Sequence, residues 1–135
     1  MSRLVFLLEE YSMKVLLDGL IPRLFPELPF LCISHEGKQE LESWYIGDPD
    51  AMAEAFDDPR LSSIGTRAVY RDPDAVRKPS SEIKKLVPRF QKVSGARSMA
   101  SKLSIRRNIS KSFQVVMKSL AQFNNEEPIS KVCYF

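Results

Sequence analysis

Histidine is almost missing from this 135-residue chain, which has one, at position 35, and cysteine occurs only twice. A zinc centre of the His-Cys-His kind cannot be built within one such chain, and two cysteines cannot make a disulfide framework. A reducing, cytoplasmic location is therefore the expectation. Five glycines and nine prolines exclude fibrous and low-complexity classes. The chain has no Gly-rich phosphate loop, CxxC pair, GxSxG elbow, HExxH run or internal repeat. Long apolar runs are absent as well. The early one, Leu4 to Leu8, is followed at once by Glu9-Glu10, so it is too short for a signal-peptide core or a membrane span, and no membrane partner is expected.

What is present is a chain 44% hydrophobic and 27% charged, enough apolar material for one domain with a core. Its formal net charge of +3 conceals a division. Residues 1–82 hold 9 Lys+Arg and 15 Asp+Glu, whereas residues 83–125 hold 10 Lys+Arg and no acid. An acid-free stretch of this length points to a surface that meets an anion such as nucleic acid. The alternatives are a solvated helical face, or a basic half that docks on the acidic half.

Leu4 to Leu8 is continuously apolar, as in a strand covered on both faces. Met13, Leu16, Leu17, Leu20, Ile21 and Leu24 then form one helical stripe with Ser12 as a cap candidate, and Pro26 and Pro29 close it. Phe30 to Ile33 reads as a second short strand, so the opening is a βαβ unit. The rest reads as mainly helical. Asp48-Pro49 and Asp72-Pro73 are helix starts, as are Ser80 or Ser81 and Ser94-Gly95. Ser110 caps the clearest late helix, with Phe113, Val116, Met117, Leu120 and Phe123 on its stripe and Lys111 and Lys118 off it. The stretch 124–135 has no usable period.

Ligands of open α/β sheets bind at the carboxyl ends of the strands. That rule brings Glu9-Glu10 together with the segment Ser34 to Lys38, and acidic clusters there suit a hard cation such as Mg²⁺. Equally, Glu9 or Glu10 could simply open the following helix, where a carboxylate favours the dipole. His35 reads as a solvated loop histidine and Trp44 as a core anchor. Gln91 to Arg97 places Lys92 and Arg97 on either side of a Ser-Gly helix start whose amides suit a phosphate, or which is an ordinary capped helix with solvated cations.

Several of these segments, taken in order, resemble a known family: Leu7-Leu8-Glu9-Glu10 with Ser12-Met13-Lys14, His35-Glu36-Gly37-Lys38-Gln39, Glu40-Leu41-Glu42 with Trp44-Tyr45 and Gly47-Asp48, and Gln91 to Arg97. The family is a Toprim-like group of uncharacterised bacterial proteins, often paired with ABC-type ATPases in phage-defence loci. The resemblance implies an α/β fold, a Toprim-like βαβ unit with a small, reduced parallel sheet and a mainly helical C-terminal half. Residues 1–125 would form one domain, with 1–47 the βαβ unit and its acidic edge and 48–125 helical and basic from 83, followed by a tail at 126–135. Glu9 matches the family's first glutamate, the candidate catalytic and Mg²⁺-binding residue. The family's Asp-x-Asp block is absent, because Gln39 runs straight into Glu40, and Asp72-Pro73-Asp74 belongs to a helix start.

Three functions follow from these readings. The first is a catalytically degenerate protein that binds nucleic acid or an ABC-type ATPase through Lys38, Lys84, Lys85, Arg89, Lys92, Arg97, Arg106 and Arg107. The second is a Mg²⁺-dependent nuclease that uses Glu9, with Glu40 or Glu42 completing the metal site. The third is a nonfunctional remnant of an internally deleted gene. Because two parallel strands make a poor sheet, a third strand from a partner, as in a homodimer, or a helical majority around a sheet remnant is expected.

Overall fold

A computed structural model describes residues 4–8, 11–34, 41–125 and 131–134. Three short strands, β1 (Leu4–Leu8), β2 (Phe30–Ser34) and β3 (Lys131–Tyr134), form a parallel sheet in the order β2-β1-β3. Helix α1 (Tyr11–Leu24) links β1 to β2. Five further helices follow before β3: α2 (Glu42–Ile46), α3 (Pro49–Ala55), α4 (Pro79–Leu86), α5 (Lys92–Ala100) and α6 (Lys111–Asn125). Three 3-10 segments, Pro59–Thr66, Ala68–Tyr70 and Pro73–Ala75, fill the stretch between α3 and α4.

This arrangement corrects the expected fold class. The described chain is mostly helical, and the Toprim-like α/β architecture is not the one it adopts. The strands are five, five and four residues long, and between β2 and β3 every regular element among the described residues is helical. Helix α1 packs on β1 and β2 and, more extensively, on α5; α3 packs mainly on the 3-10 segment Pro59–Thr66, and α2 packs on α3, α4 and the segment Pro73–Ala75. A third strand comes from the chain's own stretch 131–134, whose sequence has no usable period.

One continuous core runs through these layers. Helix α1 contributes Leu16, Leu17, Leu20 and Ile21, all fully buried, and its apolar stripe lies where the sequence spacing placed it. Each such side chain contributes about 1.5–3 kcal/mol of transfer free energy. Its outer side passes close to α5, since a Cβ on Gly19 would lie 2.8 Å from the Cβ of Ala100. Arg23 then closes the end of α5 by donating to the carbonyls of Ala100, at 3.1 Å from Nε, and of Leu103. Aromatic edges hold the other elements. Trp44 meets Phe113 with centroids 5.3 Å apart, and Phe90 receives Tyr45 at 6.4 Å and Phe56 at 5.9 Å.

The cysteines fit the absence of a disulfide framework. Cys32 and Cys133 both pair in register with Phe6, from opposite sides of β1. Two strand spacings, about 9.5 Å, separate them, beyond the reach of a disulfide.

The corner after α2 is closely packed. Ile109 donates its N–H to the Gly47 carbonyl at 2.9 Å, and Asn108 donates Nδ2 to the Trp44 carbonyl at 2.8 Å. A Cβ on Gly47 would stand 2.3 Å from Asn108 Oδ1 and 2.9 Å from the Ser110 backbone nitrogen. Gly47→Ala should therefore cost about 1–3 kcal/mol in urea unfolding by overpacking. Gly65→Ala, whose nearest neighbour would be Pro49 Cγ at 3.7 Å, should stay within about 0.5 kcal/mol of wild type. Equal effects at the two positions would refute the assignment of this corner.

Candidate nucleic-acid interface

The acid-free half begins inside α4 and continues through α5, a connecting loop and α6. The starts of α4 and α5 come together. Helix α4 opens with Pro79 after Lys78, which adopts a left-handed backbone at φ 49° and supplies no side-chain cap. Helix α5 opens after Gln91, which is extended and likewise supplies no side-chain cap. A surface groove of about 370 Å³ lies between them, lined by Ser80, Ser81, Lys84, Phe90, Gln91 and Lys92. Lys84 and Lys92 are both exposed, while Phe90 is buried and forms the apolar floor. First-turn amides carry the positive end of the helix dipole, so this groove combines two such ends with two ammonium groups.

The helix starts differ in detail from those read in the sequence. Ser80 and Ser81 lie within the first turn of α4, and Ser94-Gly95 lies inside α5, which begins two residues earlier, at Lys92. Gly95 is needed there because a Cβ would fall 2.4 Å from the Phe90 ring.

The remaining basic candidates divide into two groups. Lys85 pairs with Glu82 at 3.0 Å, and Glu82 also accepts from the Tyr70 hydroxyl at 3.0 Å. The Lys85 ammonium, and after it the Tyr70 hydroxyl, holds the Glu82 carboxyl below its ordinary value. Arg89 donates to the Phe56 carbonyl at 2.6 Å and so closes the end of α3. It lines a different groove, of about 440 Å³, with Asp57, Asp58 and Arg60, so its surroundings are of mixed charge. Arg107 stands 3.3 Å from Asp48 Oδ1 and donates to the Lys102 carbonyl. Arg97 and Arg106 are exposed and make no ion pair among the described residues. Lys111 and Lys118, off the apolar stripe as the sequence indicated, are exposed on α6.

Two carboxylates from the acidic half lock this basic half in place. Asp48 is buried and caps α3 by accepting from Ala51 N at 3.2 Å, and its other oxygen accepts from Ser104 N at 2.8 Å. Asp74 acts on α6 from outside the helix, accepting from Lys111 N at 2.7 Å and from the hydroxyls of Ser110 at 2.8 Å and Ser112 at 2.7 Å. Ser110 is the cap read from the sequence, and its Oγ accepts from Phe113 N at 3.3 Å. Asp72, by contrast, makes no side-chain cap bond and starts only a three-residue 3-10 turn. The role of Asp74 was not legible, since nothing local links residues 74 and 110.

Of the candidate metal and catalytic set, Glu9 and Glu40 lie outside the described residues, as do Lys38 and His35. Glu42 is fully buried in α2 beside Trp44 and Tyr45, in the core. That setting does not fit Mg²⁺, which keeps several waters. Among the described residues no group of three His, Cys, Asp or Glu side chains could hold a metal ion.

Fold and surface thus define a helical domain with a small parallel sheet and a basic, grooved second half. The chain belongs to the family described as "Domain of unknown function (DUF4276)", whose model matches residues 26–121. No curated protein and no solved structure matches it. Among the described residues no helix is long and apolar enough to cross a membrane.

The Asp74 cap has a pH signature. Burial pushes its carboxyl up, but the hydrogen bonds from Ser112, Ser110 and the amides of Lys111 and Ser112 outweigh this and leave it below 3.8. Its contribution to stability is therefore complete above that value and is lost as pH falls through the depressed one. Wild type should lose more thermal stability than Asp74→Ala between pH 5 and pH 2. Parallel losses would show that the cap contributes nothing.

Proposed function

We propose that this protein binds nucleic acid through phosphate contacts made by its acid-free half. The carrying observation is the groove between the starts of α4 and α5, where exposed Lys84 and Lys92 stand beside two helix N-termini without side-chain caps. The charge division supports the reading, because 10 Lys+Arg without one acid fall between residues 83 and 125. Arg97 and Arg106 extend the surface, and Lys85, Arg89 and Arg107 hold the framework behind it. The resemblance to defence-associated bacterial proteins adds a second partner class, an ABC-type ATPase. Catalysis is no part of the proposal.

Anisotropy titrations of a fluorescent 20-nucleotide DNA, single-stranded and as a duplex, test it. Binding should be measurable at 50 mM salt and fall steeply by 200 mM, as counterions are released from several phosphates. The double variant Lys84→Gln/Lys92→Gln should flatten the log–log salt slope by about two. No binding of either form at 50 mM salt would overturn the proposal.

A further inference from the structure

We infer that the nucleic acid recognised is a double helix, held along its backbones with α6 lying against it; the inference rests on the nucleic-acid reading above and names its ligand.

Two observations carry it. The first concerns what the basic surface offers to a base. Proteins that hold single strands stack unpaired bases on exposed aromatic rings. In the acid-free half, Phe90 and Phe113 face inward. Phe90 is committed to Tyr45 and Phe56, and Phe113 to Trp44, and both are buried. Exposed residues of this half include the aliphatic Val93, Ile105, Ile109 and Val115, none of which presents a ring, alongside the polar groups of Ser94, Ser101 and Gln122. Such groups donate to phosphate oxygens and give a base no platform.

The second observation is the outer face of α6. Phe113, Val116, Met117 and Leu120 face the core, and Lys111, Val115, Lys118 and Gln122 are exposed at helical spacing. Lys111 and Lys118 are two turns apart on one side, about 10.5 Å along the axis. The two backbones of B-form DNA are separated by about 12 Å across the major groove, within the reach of two flexible lysines. No acid occurs on α6, and Asp74 at its start is engaged with the amides and hydroxyls of residues 110–112. A helix of this kind complements a duplex backbone in charge and spacing, and it reads no sequence.

The titrations therefore compare a 20-base-pair duplex, two duplexes of unrelated sequence and the separated strands, all at matched salt. Wild type should hold the duplexes about tenfold more tightly than either strand, with a steeper salt slope, and should not distinguish the sequences. Lys111→Gln/Lys118→Gln should lower the duplex slope by about two. Because Lys111 adjoins the Asp74 cap, Lys118→Gln alone serves as a second variant and should lower the slope by about one. Equal or tighter binding of single strands, or an unchanged slope in both variants, overturns the inference and leaves the nucleic-acid reading standing. Failure to bind either form overturns both.

Discussion

Everything on the basic side of the molecule depends on where one buried carboxylate stands. Asp48 closes the start of α3 with one oxygen and holds the Ser104 amide with the other, and Arg107 reaches the same group from the loop before α6. Hydrogen bonds to a charged group contribute about 1.5–3 kcal/mol each, and an uncompensated carboxylate at this depth would cost more than that. The adjacent residue, Gly47, lets the 108–110 backbone approach closely enough for those bonds to form. The corner thus fixes the loop that connects α5 to α6, and with it the position from which α6 departs.

The division of charge along the chain is also a division of labour among cations. Some are spent internally: Arg23 on the end of α5, Arg89 on the end of α3, Arg107 on Asp48. Arg23 and Arg89 satisfy carbonyls at helix ends, and Arg107 adds a cation to a carboxylate already held by two amides. Docking of the basic half on the acidic half is therefore real, but it uses few charges. Lys84, Arg97, Arg106, Lys111 and Lys118 are exposed, and no acid follows Glu82 in the sequence before Glu126. Net charge alone would have hidden this, since the surface of interest carries the excess while the rest of the chain masks it.

Local patterns were legible where local physics decides the outcome. The stripes of α1 and α6, the Asp48-Pro49 start and the Ser110 cap could all be read, because each depends on residues within two helical turns. The overall class could not, because it depends on how much helix surrounds a sheet and on which distant segment completes it. Strand β3 is a run of four residues without a distinctive period, and only pairing with β1 makes it a strand. The groove was half legible. Lys84 and Lys92 were candidates, but they are separated by a turn whose geometry no spacing rule supplies. Glu42 followed the same logic in reverse: a glutamate in an acidic segment looked available for chemistry, and helix α2 turned it into the core.

The sheet also imposes an order of events. Its central strand, β1, is flanked by β2, about 25 residues downstream, and by β3, more than a hundred residues downstream. Loop closure over the first distance is the less costly, whereas the second pairing must wait until the whole intervening chain has been made. During synthesis β1 therefore passes through a stage with one edge satisfied and the other bare, the state in which apolar strands find wrong partners. Helix α1, which packs on both β1 and β2, is already synthesised in that interval and is available to cover those two strands.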